Sequence, residues 1–279
     1  MTPQQLAKEV ENLFSLPEIY FQVKKTIDHP KSTIEDVANV ISQDPSISAR
    51  ILRIANSSFF GFGAKIEYID RAISIMGLAH LHNLVLAVSA TNAFKGINSE
   101  LFSMKDFWLH SIYCAAIAQI LARKCNILDS ERLFVSGILH DIGHLVIYST
   151  LSTHASTVLS RARNEQLPLE QLETEIFGFN YAEVGGELLK QWQLPTSLYL
   201  PVRYHTHLQS DENFAPDSAI IHLANIMVLR DEHKKTGFVA PNINPLAFQL
   251  TELNEEDLEP IKAEAKKNMA DIIKLFFAK

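Results

Sequence analysis

The chain is predicted to be all-α, a multi-helix bundle, and three observations predict it. Apolar residues recur at helical spacing along nearly the whole length, cap and stop residues punctuate those runs, and alternating apolar–polar runs of strand length are missing. With 279 residues, 47% of them hydrophobic and 20% charged, the chain can bury a large core. No residue period suggests a repeat array.

Taken in order, the N-terminus predicts helices over 2–14 and 17–28, and Thr33 caps a third over 33–43 before "IEDVANVI". In "SQDPSISARILRIANSS" Asp44 can cap, Pro45 fits the first helical position, and Ile47, Ile51, Leu52 and Ile54 recur at helical spacing, which gives about three turns. Gly77 stops the helix over 69–76 after "RAISIM" and precedes one over 78–94. Further runs predict helices over 105–125, 129–148, 152–165, 181–193, 196–206 and 216–234. Asn254 opens the last, 254–277, with the acidic turn "EEDLEP"; Pro260 either kinks it or marks its real start.

Two loops divide these helices. "FKGINSELFS" around 95–103 is read as a seam, and "TGFVAPNINP" at 236–245 separates a tail. The division is therefore 1–97 for an N-terminal helical lobe, 98–235 for a central lobe and 236–279 for a C-terminal tail helix, all in one compact unit with a seam. The charge of -7, with lysines scattered as short pairs, gives no footprint for nucleic acid. "MTPQQLAKEVENLF" lacks the basic and apolar regions of a signal peptide, and no window is read as approaching the length that crosses a bilayer, so a cytoplasmic protein with no membrane partner is expected. Cys114 and Cys125 lie eleven positions apart in one helix, about three turns, too far to bridge, and are expected as free thiols.

The chemistry concentrates in "ERLFVSGILHDIGHLVIY". His140 and Asp141 interrupt an otherwise apolar run, and burying an ionised carboxylate without a partner costs several kcal/mol. A metal, a histidine or helix-end amides must satisfy Asp141. Imidazole and carboxylate are the ligands of zinc, iron, manganese and nickel, and His110, His144, His205, His207 and His222 all fall on helices near acidic neighbours. Spacing alone does not single them out, because a lone histidine is more often a surface or satisfied core residue. Other motifs have plain readings. Gly185-Gly186 lets helices approach closely, Phe59, Phe60 and Phe62 of "NSSFFGFG" pack over the seam, and "RDEHKKTG" is a solvated helix end.

At these residues the chain resembles a known family. "LHDIG" is similar to the motif of the HD superfamily, whose members are metal-dependent phosphohydrolases with ligands in the order His, His-Asp, Asp. That order falls here on His110, His140, Asp141 and Asn225. "ISQDPSISARILRIANSSFFG", "IDRAISIMGLAHLHNLVL", "EIFGFNYAEVGGELLKQWQLP" and "VRYHTHL" are all similar to the HDOD domain, an HD-related output domain of bacterial signalling proteins, and in the same order cover about 10–235. The resemblance implies a bundle of the HD-domain type with an N-terminal helical lobe.

It also implies a site short of catalytic groups. Asn225 replaces the closing carboxylate, His144 stands where relatives that hydrolyse cyclic di-nucleotides have lysine, Tyr181 where they have histidine, and Thr206 follows His205 where they have a second histidine; their Gly-Tyr-Pro signature is absent. The expectation is a mononuclear remnant of His110, His140, Asp141 and Asn225 able to take a single Mn, Fe, Ni or Zn ion, with no cofactor required. His144, Tyr181, His205 and His207 are expected to line the old ligand cleft, which could take a small nucleotide. The implied role is a non-catalytic signal-transduction output module acting through a signalling protein on a separate chain, since no receiver, GGDEF or kinase segment is attached. The alternative is a metal-dependent phosphohydrolase acting on a nucleotide or cyclic di-nucleotide.

Overall fold

Helix caps set most of the architecture of the computed structural model, which describes residues 1–11, 13–57, 65–97, 100–211 and 213–277. The "NSSFFGFG" phenylalanines lie outside these residues. The helices run α1 (Pro3–Glu9), α2 (Glu18–Asp28), α3 (Ile34–Ser42), α4 (Pro45–Ala55), α5 (Ile69–Met76), α6 (Leu78–Ala93), α7 (Met104–Lys124), α8 (Ser130–Leu139), α9 (Ile142–Thr150) and α10 (Ser152–Glu165). They continue with α11 (Leu169–Phe177), α12 (Tyr181–Gln191), α13 (Thr196–Tyr204), α14 (Ala215–Thr236), α15 (Pro245–Thr251) and α16 (Leu258–Phe277). No strand occurs among the described residues, so the fold is all-α.

The expected caps are present. Thr33 and Asp36 form a reciprocal capping box at α3, and Asp44 accepts from the amides of Ser46 and Ile47 at α4. Gly77 adopts φ 86° between α5 and α6, a left-handed turn that costs glycine little. Three elements differ from expectation. The run 129–148 is two helices, α8 and α9, broken at His140-Asp141; α11 was not expected; and α15 grows from what was read as loop, with Asn244 capping it. Pro260 is the third residue of α16, where it forfeits no intrahelical bond, so it belongs to the helix start.

The chain groups into two compact units, Met1–Leu13 with Ile97–Ala265 and Phe14–Gly96 with Lys266–Lys279. The first 13 residues, assigned by sequence to the N-terminal lobe, thus group with the larger unit, and the tail is shared between the two. The smaller unit packs α2 to α6 around Tyr20, Ile41, Ile47, Ile51, Ile54 and Leu81, with Tyr20 stacked on His82 at 5.5 Å. In the larger unit, glycines let helices touch backbone to backbone. A Cβ on Gly137 of α8 would meet Ala115 Cα of α7 at 2.5 Å, and one on Gly143 of α9 would overlap the Tyr181 carbonyl and lie 2.7 Å from the Gly185 amide of α12. Gly186 lies equally close to Arg203 of α13, so the Gly185-Gly186 pair does serve helix approach.

One expectation about membranes is corrected. Ser130–Thr150 contains an 18-residue window of mean hydropathy 1.2, long and apolar enough by composition to span a bilayer, but 89% of that window is buried inside the protein. Its apolarity fills the core through α8 and α9. Cys114 is buried, Cys125 is partly so, and both are free thiols.

Candidate metal centre

The break between α8 and α9 builds the site. His140 keeps helical angles at the end of α8, Asp141 departs to φ -100°, ψ 0°, and the chain enters α9 with the Asp141 carboxylate at its N-terminal end, where the helix dipole favours an anion. His140 is held by a hydrogen bond from Nδ1 to the Gly137 carbonyl (2.8 Å), which leaves Nε2 without its proton and turned into the site. From α7, His110 places Nε2 3.3 Å from His140 Nε2 and 3.3 Å from Asp141 Oδ2, while His140 Nε2 is 3.2 Å from Asp141 Oδ1. On its far side His110 Nδ1 meets Glu232 Oε2 of α14 at 2.9 Å.

These groups polarise one another. Burial opposes ionisation of Asp141, but the surrounding histidines, His140 and His110 foremost, outweigh it and hold the carboxyl down to about 2. Burial likewise disfavours the His110 imidazolium, yet Asp141 and Glu232 outweigh it and raise the ring to about 9. His140 is pushed down, by burial first and, against the pull of Asp141, by the charge of His110.

The fit to a metal can be tested on geometry. Ligand atoms about 2.0–2.1 Å from a tetrahedral ion stand about 3.3 Å from one another. The two imidazole Nε2 atoms stand 3.3 Å apart and each lies 3.2–3.3 Å from a different oxygen of Asp141, close to that spacing, and His110, His140 and Asp141 are all buried with one ligand atom from each within 4.8 Å of the others. Asn225 of α14 adds an orphan: its Oδ1 is buried without a hydrogen-bond partner, close enough to His110 and His140 to favour their protonated forms. A buried acceptor left unpaired is costly, and a cation would relieve it. His110, His140 and Asp141 therefore fit one divalent metal, with the Asn225 amide beside them.

Beside this centre lies a second, closed network. Asn225 Nδ2 donates to the Tyr181 hydroxyl (2.9 Å), which in turn meets His205 Nε2 at 3.0 Å. His205 Nδ1 donates to the Val202 carbonyl (2.7 Å), so its Nε2 is the acceptor and Tyr181 the donor. Burial, and the neighbouring His140, push His205 down to about 3. The Tyr181 ring stacks on His144 with centroids 3.9 Å apart, and His144 Nε2 lies 3.2 Å from Glu173 Oε1 of α11, whose other oxygen accepts from the Tyr181 amide. Burial opposes the charged His144 ring, but Glu173 and Asp141 raise it.

Of the eight residues singled out by sequence, seven come together. His207 does not. It is exposed and lines a surface recess of about 650 Å³ with Glu170, Arg203 and Thr206. Two carboxylates were missed, Glu173 and Glu232. The first sits on the unexpected α11, and the second lies in the "RDEHKKTG" run read as solvated, although its spacing of seven from Asn225 puts both on one helical face.

Comparison with known proteins gives the family and the fold. The HDOD domain profile matches residues 13–208. A protein of Shewanella amazonensis SB2B, named as a candidate phosphohydrolase, is 26% identical with TM-score 0.74, and the match covers 97% of each chain. An HDOD domain protein of unknown function from Geobacter sulfurreducens has TM-score 0.75 at 22% identity, covering 99% of this chain and 98% of that one. By sequence, an uncharacterized protein of Treponema pallidum is 24% identical over 228 residues, which is 80% of this chain and 43% of the relative. YuxH of Bacillus subtilis, also uncharacterized, is 24% identical over 184 residues, 62% of this chain and 44% of the relative. The chain spans less than half the length of these curated relatives.

Proposed function

The chain belongs to the HDOD domain family, and from that membership together with the site geometry we propose that it is a non-catalytic output module of bacterial signal transduction, built around one buried divalent metal and acting through a signalling protein on another chain. One observation carries the non-catalytic part. In-line phosphodiester hydrolysis at a two-metal centre needs a second ion with its own open ligands. Two imidazoles stand beside the first position: His205 has both nitrogens occupied, Nδ1 by the Val202 carbonyl and Nε2 by the Tyr181 hydroxyl, and His144, with Nδ1 3.9 Å from Asp141 Oδ1, turns its Nε2 onto Glu173 at 3.2 Å under the Tyr181 ring. Tyr181 further engages Asn225 and covers His144, so the residues beside the first metal position bond to each other.

When bound, the metal would supply a Lewis-acidic centre and fix α7, α8 and α14 to one another through His110, His140 and Asn225. The protein's own residues orient the ligands: Gly137 sets the His140 tautomer and Glu232 sets that of His110. Signalling then follows from which state of this helix junction a partner recognises. A small nucleotide remains a ligand to test by the same reading.

A second reading, a metal-dependent phosphohydrolase, is favoured by the convergence of His110, His140 and Asp141 and by the name of the Shewanella relative. The deciding experiment incubates the purified chain with manganese, iron or nickel and with cyclic di-nucleotides, nucleotides and generic phosphodiesters, beside the His140→Ala/Asp141→Ala variant and with metal content measured by elemental analysis. The proposal expects about one metal per chain and no turnover above the double variant. Turnover that the double variant abolishes while staying folded replaces it with the hydrolase.

A further inference from the structure

We propose that Glu232 supplies the negative charge that this site lacks at Asn225, acting through His110 as a positioning residue for a divalent metal. The proposal rests on the single-metal reading above. Glu232 and Asn225 are seven residues apart on α14, about two turns, so both face α7. Glu232 Oε2 lies 2.9 Å from His110 Nδ1, and the opposite nitrogen of that ring is the one turned onto His140 and Asp141. An imidazole that donates Nδ1–H to a carboxylate presents Nε2 as a fixed and more basic donor.

Charge explains why such a residue belongs there. A divalent ion held by two neutral imidazoles, a neutral amide and the single carboxylate of Asp141 leaves a site with net charge of about +1 among buried residues, and uncompensated buried charge is expensive. Glu232 brings a second carboxylate within one ring's width of the ion position. The cations around it are engaged elsewhere, Lys262 with Asp231 and Glu259, and Lys235 with Asp106. At 29% exposure its side chain keeps access to water, so the balancing charge costs less to hold than a carboxylate buried at position 225.

The test is a double-variant cycle read by metal affinity. Zinc and manganese, each alone, are titrated in competition with a chromophoric chelator against the wild type, E232A, E232Q, N225D and E232A/N225D, and the metal-free proteins are melted in parallel. The expected result is a loss of about 10- to 100-fold in affinity for E232A. E232Q, which keeps an acceptor but not the charge, falls between and carries the test should E232A fail to fold. N225D should restore most of the loss in the E232A background and add clearly less in the wild type, because the two carboxylates do one job. An equal gain from N225D in both backgrounds overturns the proposal, as does a lowered melting temperature of metal-free E232A with unchanged metal affinity. Wild-type protein that binds neither metal defeats the single-metal reading and the proposal together, whereas metal binding indifferent to position 232 defeats the proposal alone.

Discussion

The histidines at the α7–α8 junction and those at the end of α13 and in α14 are all buried, yet they are wired in opposite ways. His140 spends one ring nitrogen on a backbone carbonyl and aims the other at His110 and Asp141, side chains that together with it could hold a metal ion. His205 and His222 spend both. His205 lies between the Val202 carbonyl and the Tyr181 hydroxyl, and His222 between the His205 carbonyl and the Asn244 amide. Burial alone therefore does not separate a ligand histidine from a structural one. The fate of the second nitrogen does, and it can be read only once the partners are in place.

The largest effect that would break this contrast comes from truncating each type. His140→Ala removes a candidate ligand atom and one of the groups around Asp141, which keeps His110 at 3.3 Å, so metal binding should be abolished and the metal-free fold should lose about 1–3 kcal/mol. His205→Ala should also destabilise, by about 1–3 kcal/mol, because the Tyr181 hydroxyl loses the acceptor for its proton while keeping Asn225 as donor, and the Val202 carbonyl loses the ring that donates to it, yet metal affinity should stay close to wild type. Chemical denaturation alongside metal titration of both variants checks it. Equal loss of metal in the two would erase the distinction.

Next in size is Gly143→Ala. The new methyl would collide with the Tyr181 carbonyl and crowd the Gly185 amide, so α9 and α12 must part. Overpacking of this kind costs about 1–3 kcal/mol. Because α9 starts at Asp141 and α12 at Tyr181, the shift should pull the two networks apart, and it is measurable as weakened zinc affinity in a protein that still shows a helical circular dichroism spectrum.

How much of this was legible beforehand depends on the signal each residue leaves. Thr33, Asp44, Gly77 and Asn254 carry their structure in their own side chains or lack of one, and the helices they bound were readable. The α8–α9 break was not, because neither proline nor glycine marks it and the apolar period runs straight through His140-Asp141. Those two residues still drew notice, since polar groups in an apolar run need partners. Glu232 drew none: in a run of charges its carboxylate looks solvated, and only the fold reveals that His110 reaches it. His207 shows the opposite error. It is two residues from buried His205, and a spacing of two carries a side chain away from its neighbour's face of the chain's helical turn.

A smaller change sharpens the boundary between the two networks. Tyr181→Phe keeps the ring stacked on His144 but deletes the hydroxyl that accepts from Asn225 and donates to His205. Two buried polar atoms lose their partner, and the expected cost is about 1–2 kcal/mol by denaturant melting. Freed from Tyr181, the Asn225 amide can turn, so metal affinity should change by a small factor in either direction rather than vanish. Loss of binding on the scale of His140→Ala would mean that the structural network and the ligand set are one unit.

The smallest effect is a pH dependence that belongs to the structural side alone. Burial lowers the pKa of His222, partly offset by its bond to the His205 carbonyl, because the ring must stay neutral to accept from the Asn244 amide. The sign follows from linkage. With the folded value below the ordinary 6.5, the unfolded chain binds more protons between the two values, so the stability this ring contributes is complete above about 6.5 and is lost as pH falls below it, at no more than about 1.4 kcal/mol per pH unit. Asn244 caps α15, so the loss should be felt first as loosening of Pro245–Thr251. His222→Gln replaces the ring with an amide that can donate to one backbone group and accept from the other without titrating. Melting wild type and variant at pH 7.5 and 5.5 should show a smaller drop in the variant, and hydrogen exchange at the Leu246 amide should accelerate at pH 5.5, after correction for intrinsic rate, in the wild type only. An equal drop in both proteins would place the acid sensitivity of the fold on other histidines.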